Sequence, residues 1–136
     1  MKSIVGRCLL GSILIFGAVA QNSQKPVLTP GVSVQMADAS HATEMREADE
    51  PTARVVAISA DGRVFLGIKP TEPAALGDVR ESTVYVKADS RAPYQKVLAV
   101  LDALRGKSVV LLTAPPQSAV RQTMMPPYGI QLMVGR

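Results

Sequence analysis

Apolar and polar positions switch period several times along this chain. Residues 31–36 (Gly-Val-Ser-Val-Gln-Met) alternate with period two, which predicts a strand with one wet face. Residues 54–60 and 64–68 are two β-rich runs around Asp61-Gly62, a dipeptide that tolerates the positive φ of tight hairpin turns. Residues 83–88 (Thr-Val-Tyr-Val-Lys-Ala) alternate again, sending Val84 and Val86 one way and Tyr85 and Lys87 the other. Residues 93–105 then read as a helix. Val97, Leu98, Val100, Leu101 and Leu104 form one apolar stripe, and Gln95, Lys96, Asp102 and Arg105 take the opposite side. Pro93 suits the helix start, Arg105 complements the dipole at its end, and Gly106 can terminate it in the left-handed conformation.

The helix stripe needs a surface to pack on, and residues 108–113 (Ser-Val-Val-Leu-Leu-Thr) supply a continuous apolar strand. Strand, helix and strand at this spacing imply a crossover joining two parallel strands. A hairpin plus this βαβ unit defines an α+β domain, a small mixed β-sheet with helices on one face. Thr71 is a candidate cap for a short helix opening at Pro73 and limited by Gly77. Residues 38–50 hold five acids against Arg46 without apolar periodicity, the composition of a solvated loop or a weak helical turn. Pro115-Pro116 ends the domain at residue 116. Residues 117–136 form a Pro/Met-rich tail with one further edge strand at 130–134.

The first 20 residues form a leader. Lys2 and Arg7 precede a thirteen-residue uncharged run from Cys8 to Ala20. A membrane-spanning helix takes about 20 apolar residues, whereas a signal h-region takes about 7–15, so the signal is the better fit. Ala18-Val19-Ala20 has the small-x-small form of a cleavage site. In the competing reading the span starts at Ile4, Arg7 snorkels to the interface, and residues 4–20 stay in the membrane as a short anchor. Residues 21–30, polar with two prolines, read as a tether to a domain on the far side of that membrane.

Composition narrows the chemistry. The chain has 136 residues, one cysteine (Cys8) and one histidine (His41), so Cys/His metal sites, His-assisted nucleophiles and internal disulfides are ruled out. No catalytic residue, cofactor or metal ligand set is expected, and the chain does not read as an enzyme. The net charge is +4. Setting aside Lys2 and Arg7 leaves 13 basic against 11 acidic residues with no basic stripe, which argues against nucleic acid as a partner.

Residues 31–35, 59–67, 84–94, 97–105 and 111–113, in that order, resemble the ExbD/TolR family of biopolymer transport proteins. The most specific piece is Lys87-Ala88-Asp89 followed by Pro93-Tyr94 at the start of the Val-Leu-Asp-Ala-Leu-Arg helix. The resemblance implies a bacterial cell-envelope location, either periplasmic after signal cleavage or inner-membrane single-pass with a periplasmic C-terminal domain. It implies an ExbB/TolQ-like membrane subunit and a TonB/TolA-like envelope protein as partners, with a homodimer as one further assembly. In that family a single aspartate in the membrane helix carries the translocated proton; residues 8–20 here contain no Asp or Glu. The expected role is therefore an accessory or partner-binding subunit of a proton-gradient-driven envelope complex. The alternative is a free-standing periplasmic binding module detached from the motor.

The candidate partner-binding residues are Val32, Ser33, Val34 and Gln35, as a strand available for augmentation, together with Asp89 and Tyr94. Each also has a plain structural reading: Asp89 shapes the turn before the helix, and Tyr94 plugs the edge of the core. His41 reads as solvated surface, and Met124, Met125 and Met133 as a loosely packed tail. Cleavage after Ala20 gives a mature N-terminus at Gln21, which N-terminal sequencing of the periplasmic fraction checks. An intact Met1 in the membrane fraction identifies the anchor instead.

Overall fold

Strand β5 (Thr83–Ala88), helix α1 (Tyr94–Ala103) and strand β6 (Ser108–Thr113) form the expected unit, and the strands pair in parallel from Thr83 opposite Ser108 to Lys87 opposite Leu112. This computed structural model describes residues 31–119 and 125–135. The leader, the tether, Cys8 and Met124 lie outside them, and among the described residues no helix is long and apolar enough to cross a membrane.

Pro93 (φ −60°, ψ 128°) is the last extended residue before α1, and its carbonyl accepts from the Lys96 and Val97 amides at 3.0 and 3.3 Å. Gly106 follows the helix at φ +82°, a conformation open to glycine without a Cβ penalty. Val100 and Leu104 are fully buried and Val97 and Leu101 half-buried, so the stripe faces the sheet. Leu98, expected in that stripe, is 45% exposed: the buried arc is narrower than the apolar one.

A second parallel strand, β2 (Val55–Ile58), flanks β5 on its other side. Strand β3 (Val64–Leu66) turns back from it as the predicted hairpin. The loop is closed by the Ser59 amide donating to the Arg63 carbonyl, and Gly62 sits at φ +84°. Any Cβ on Gly62 would meet Lys96 Cγ at 3.2 Å, since the turn packs on the start of α1. Strand β4 (Lys69–Thr71) extends the antiparallel side. On the other flank β7 (Tyr128–Met133) pairs antiparallel with β6, and β1 (Thr43–Glu44) pairs with β7. The resulting order is β1-β7-β6-β5-β2-β3-β4.

Alternation along the central strands splits the core in two. Val56, Ile58, Val84, Val86 and Val109 pack under α1 and under Leu76 of a 3-10 helix at Pro73–Asp78. Tyr85, Val110 and Leu112 face the other way, against Ala48 of an acidic 3-10 turn (Arg46–Asp49), Met36 and Met45. The architecture is α+β with a seven-strand mixed sheet, but the cover is not confined to one face. A parallel trio needs burial on both sides, and the N-terminal residues and the acidic turn provide the second cover.

Four further expectations are corrected. Residues 31–36 keep their alternation, with Val32, Val34 and Met36 half-buried, but they form no ladder strand. Thr71 ends β4 and does not cap the next helix, whose cap residue is Glu72. The acidic stretch includes a strand, β1. The sheet also runs on past residue 116: the edge strand expected at 130–134 is the six-residue β7, which starts two residues earlier and pairs with the whole of β6.

Truncating Leu104 to Ala should cost about 2–5 kcal/mol, because a fully buried side chain is removed, while Leu98→Ala should stay within about 0.5 kcal/mol. Urea unfolding of the two variants checks the difference.

Candidate functional site

The Lys87-to-Tyr94 stretch that carries the family resemblance leaves β5 at Ala88, where the Asp89 amide donates to the Ile58 carbonyl at 2.9 Å. The Asp89 side chain is 5% exposed. Its Oδ1 accepts from the Arg91 amide at 3.0 Å and from Arg91 Nε at 2.9 Å. Its Oδ2 accepts from Arg91 Nη2 at 3.2 Å and from the Gln35 amide at 3.1 Å. The Asp89 carbonyl accepts from the Ala92 amide, which closes the turn into α1. The guanidinium of Arg91, together with the Arg91 and Gln35 amides, holds the carboxyl well below the ordinary carboxylate range.

Asp89 and the Val32 to Gln35 segment are thus brought together, but they contact each other. The Gln35 carbonyl accepts from the Ser90 amide at 2.8 Å and the Ala37 carbonyl from the Ala114 amide at 2.9 Å. The segment therefore crosses the C-terminal ends of β5 and β6. Half-buried Val32 and Val34 point inward and exposed Ser33 and Gln35 outward. Gln35 already uses its amide and carbonyl to fix Asp89 and Ser90, which makes the segment a clasp across the strand ends. Tyr94 stands apart in the first turn of α1. At 73% exposed it does not plug the core. His41 is exposed, and among the described residues no group of three or more His, Cys, Asp or Glu could hold a metal ion.

The surface with unused bonding capacity is the outer edge of β7, the strand expected at 130–134. β1 covers β7 only at Gly129 and Tyr128. β7 fits between its neighbours because position 129 has no side chain: a Cβ there would lie 2.9 Å from the Leu111 carbonyl oxygen on β6 and 3.2 Å from Met45 Cγ just after β1. Beyond this point no strand pairs with the outer side of Ile130 to Met133 among the described residues.

Backbone direction on β7 follows from two hydrogen bonds. The Met45 amide donates to the Pro127 carbonyl at 2.7 Å, so Pro127 faces outward, and with period two so do Gly129, Gln131 and Met133. On β6 the Ser108 amide donates to Ser82 on the β5 side, which turns Val109, Leu111 and Thr113 toward β7 and agrees with that assignment. Gln131 and Met133 therefore present open amides and carbonyls. Ile130 is 37% exposed and Met133 fully exposed beside them.

The opposite end of the sheet is blunted. β4 is Lys69-Pro70-Thr71, and a lysine and a proline are common protections of an edge strand. The alternation Ile-Gln-Leu-Met-Val marks β7 in the sequence, and the prolines at 126 and 127 disguise only its start at Tyr128. Comparison with family models, with curated proteins and with solved structures finds no match for this chain.

A carboxyl depressed by folding stabilises the native state above its unfolded pKa and loses that contribution as pH falls toward the folded value. Wild-type stability should accordingly decline below about pH 5, whereas Asp89→Asn should start lower and show a shallower acid slope. In the same variant the Gln35 amide should lose its protection. Acid unfolding curves and hydrogen exchange measure the two effects.

Proposed function

We propose that this chain is an ExbD/TolR-like biopolymer transport protein, acting as a partner-binding subunit of an envelope energy-transducing complex, and that it grips an extended segment of its TonB/TolA-like partner along the outer edge of β7. The observation that carries this reading is the asymmetry between the two ends of the sheet. One edge is closed by Lys69 and Pro70, and the other leaves Gln131 and Met133 unpaired next to exposed apolar side chains. Strand addition draws affinity from main-chain hydrogen bonds and specificity from alternate side chains. Ile130 on one face and Met133 on the other would supply those contacts, and methionine adapts to irregular partners.

The short free edge suits a transient grip. Four residues of new ladder bury little surface, and such contacts form and release readily. The resemblance and the hairpin plus βαβ order support the family assignment. The acid-free run at residues 8–20 supports a relay role, with proton uptake left to ExbB/TolQ-like and other subunits. Recovery of an ExbB/TolQ-like subunit with the chain separates this role from that of a free-standing periplasmic module using the same edge.

Gln131→Pro removes an outward amide while sparing the β6 ladder, a placement in which proline is tolerated. Crosslinking of the envelope partner should fall by about tenfold or more, with far-UV circular dichroism unchanged. Undiminished crosslinking in a folded Gln131→Pro variant overturns the edge-binding reading.

A further inference from the structure

On the sheet face opposite α1, a cavity of about 460 Å³ opens between the acidic 3-10 turn and the C-terminal half of β6. Its wall is mainly apolar, with Met36, Ala48, Val55, Leu112 and Pro127 among the lining residues, and its volume falls in the range of small-molecule sites. Lys87 also lines it. β5 alternation sends Lys87 to this face beside Tyr85, between Ala57 on β2 and Leu112 on β6. Unlike Arg54, which pairs with Glu81 at 2.6 Å, Lys87 has no hydrogen-bond or ion-pair partner among the described residues.

Three acids come from the acidic turn and the residue after it. Asp49 and Glu50 stand at the cavity wall, and all three, Glu47 included, are exposed, where water meets their charge. Glu47 and Glu50 act on Tyr85, whose hydroxyl burial and these two charges push up in pKa. For Lys87 burial alone lowers the pKa, with no carboxylate near enough to offset it. A half-buried ammonium in an apolar wall gains more from an arriving anion than a solvated charge does.

We propose that this cavity binds a medium-chain aliphatic monocarboxylate, its tail against Val55, Ala48 and Leu112 and its carboxylate paired with the Lys87 ammonium. Arg54 also lines the wall but is neutralised by Glu81, so an apolar wall with one unpaired cation selects a ligand having a single anionic end and an otherwise apolar body. The exposed acids at the wall disfavour dianions and leave the Lys87 side as the place for the headgroup. The site lies on the sheet face, separate from the open backbone of Gln131 and Met133.

The test uses the full chain with decanoate, decanol and decyltrimethylammonium as probes, by calorimetry below their micelle concentrations. Decanoate should bind about tenfold or more tightly than either other probe, as a charge-assisted contact implies. Lys87→Met keeps the length and apolar shape of the side chain. It should bind decanol as before and lose the preference for decanoate, while Lys87→Arg should retain that preference. Residues 1–30 are common to all three proteins, so binding of a given probe there is the same in each and drops out of the comparison between variants. Decanoate should also shift the methyl resonances of Val55 and Leu112. Failure of decanoate to bind, a preference that survives in a folded Lys87→Met variant, or shifts confined to other residues would each overturn the proposal.

Discussion

The parallel trio β2, β5 and β6 is the constraint from which the rest of the structure follows. Strands that pair in parallel cannot be joined by tight turns, and a sheet made of them must be dry on both faces. The first requirement places α1 between β5 and β6, packed through Val100 and Leu104. The second forces a cover over Tyr85, Val110 and Leu112, which α1 cannot reach. The chain solves this before the parallel trio begins, with Met36, Met45 and Ala48 folding across the second face. An acidic stretch that looks like plain solvated loop is therefore amphipathic in a minimal way: Ala48 is buried, and Glu47 and Asp49 remain in water.

Asp89 locks that arrangement where three elements meet. Its two oxygens accept from Arg91 at the start of α1 and from Gln35 in the crossing segment, and its amide reaches β2 through Ile58. One buried carboxylate thus ties the end of β5, the helix and the N-terminal clasp. Asp89 and its neighbours hold the strand ends together. A partner would meet Asp89 only by displacing Arg91 or Gln35, so the available surface has to be sought elsewhere.

What was legible in the sequence had local causes. The hairpin is written in Asp61-Gly62 and its flanking β-branched runs, α1 in a 3.6-residue stripe with Pro93 and Gly106 as its limits, and β6 in four consecutive apolar residues between Ser108 and Thr113. What was missed depends on pairing between distant residues. β1 is two exposed residues whose only strand signal is their partner Gly129, and β4 contains a proline that propensity alone excludes from strands. Residues 31–36 have the right period but lie across strand ends, where period two still sorts side chains into inner and outer without any ladder. Tyr94 and Leu98 were assigned inward positions because an apolar side chain on a helix carries no sign of how wide the buried arc will be. The open edge of β7 was half visible as an alternating run, yet its openness is a property of β1 being short, which no residue in β7 encodes.

Lys87 shows how a local cost becomes informative. Its neighbours in register, Ala57 and Leu112, are buried, and a leucine or valine at 87 would complete the second face at no electrostatic cost. Burial lowers the lysine's pKa, so the folded state holds its proton less tightly than the unfolded chain does. Such a group costs stability at neutral pH, and the cost relaxes only as pH rises through the folded pKa. Residues that break a local rule without a compensating contact concentrate at functional sites. Asp89 is buried and fully compensated by Arg91 and Gln35, which is the pattern of a structural charge. Lys87 is partly buried without compensation, beside a cavity large enough to admit a counterion with an apolar tail. The contrast between these two charges, two residues apart in sequence, separates the part of the motif that maintains the fold from the part left open to bind.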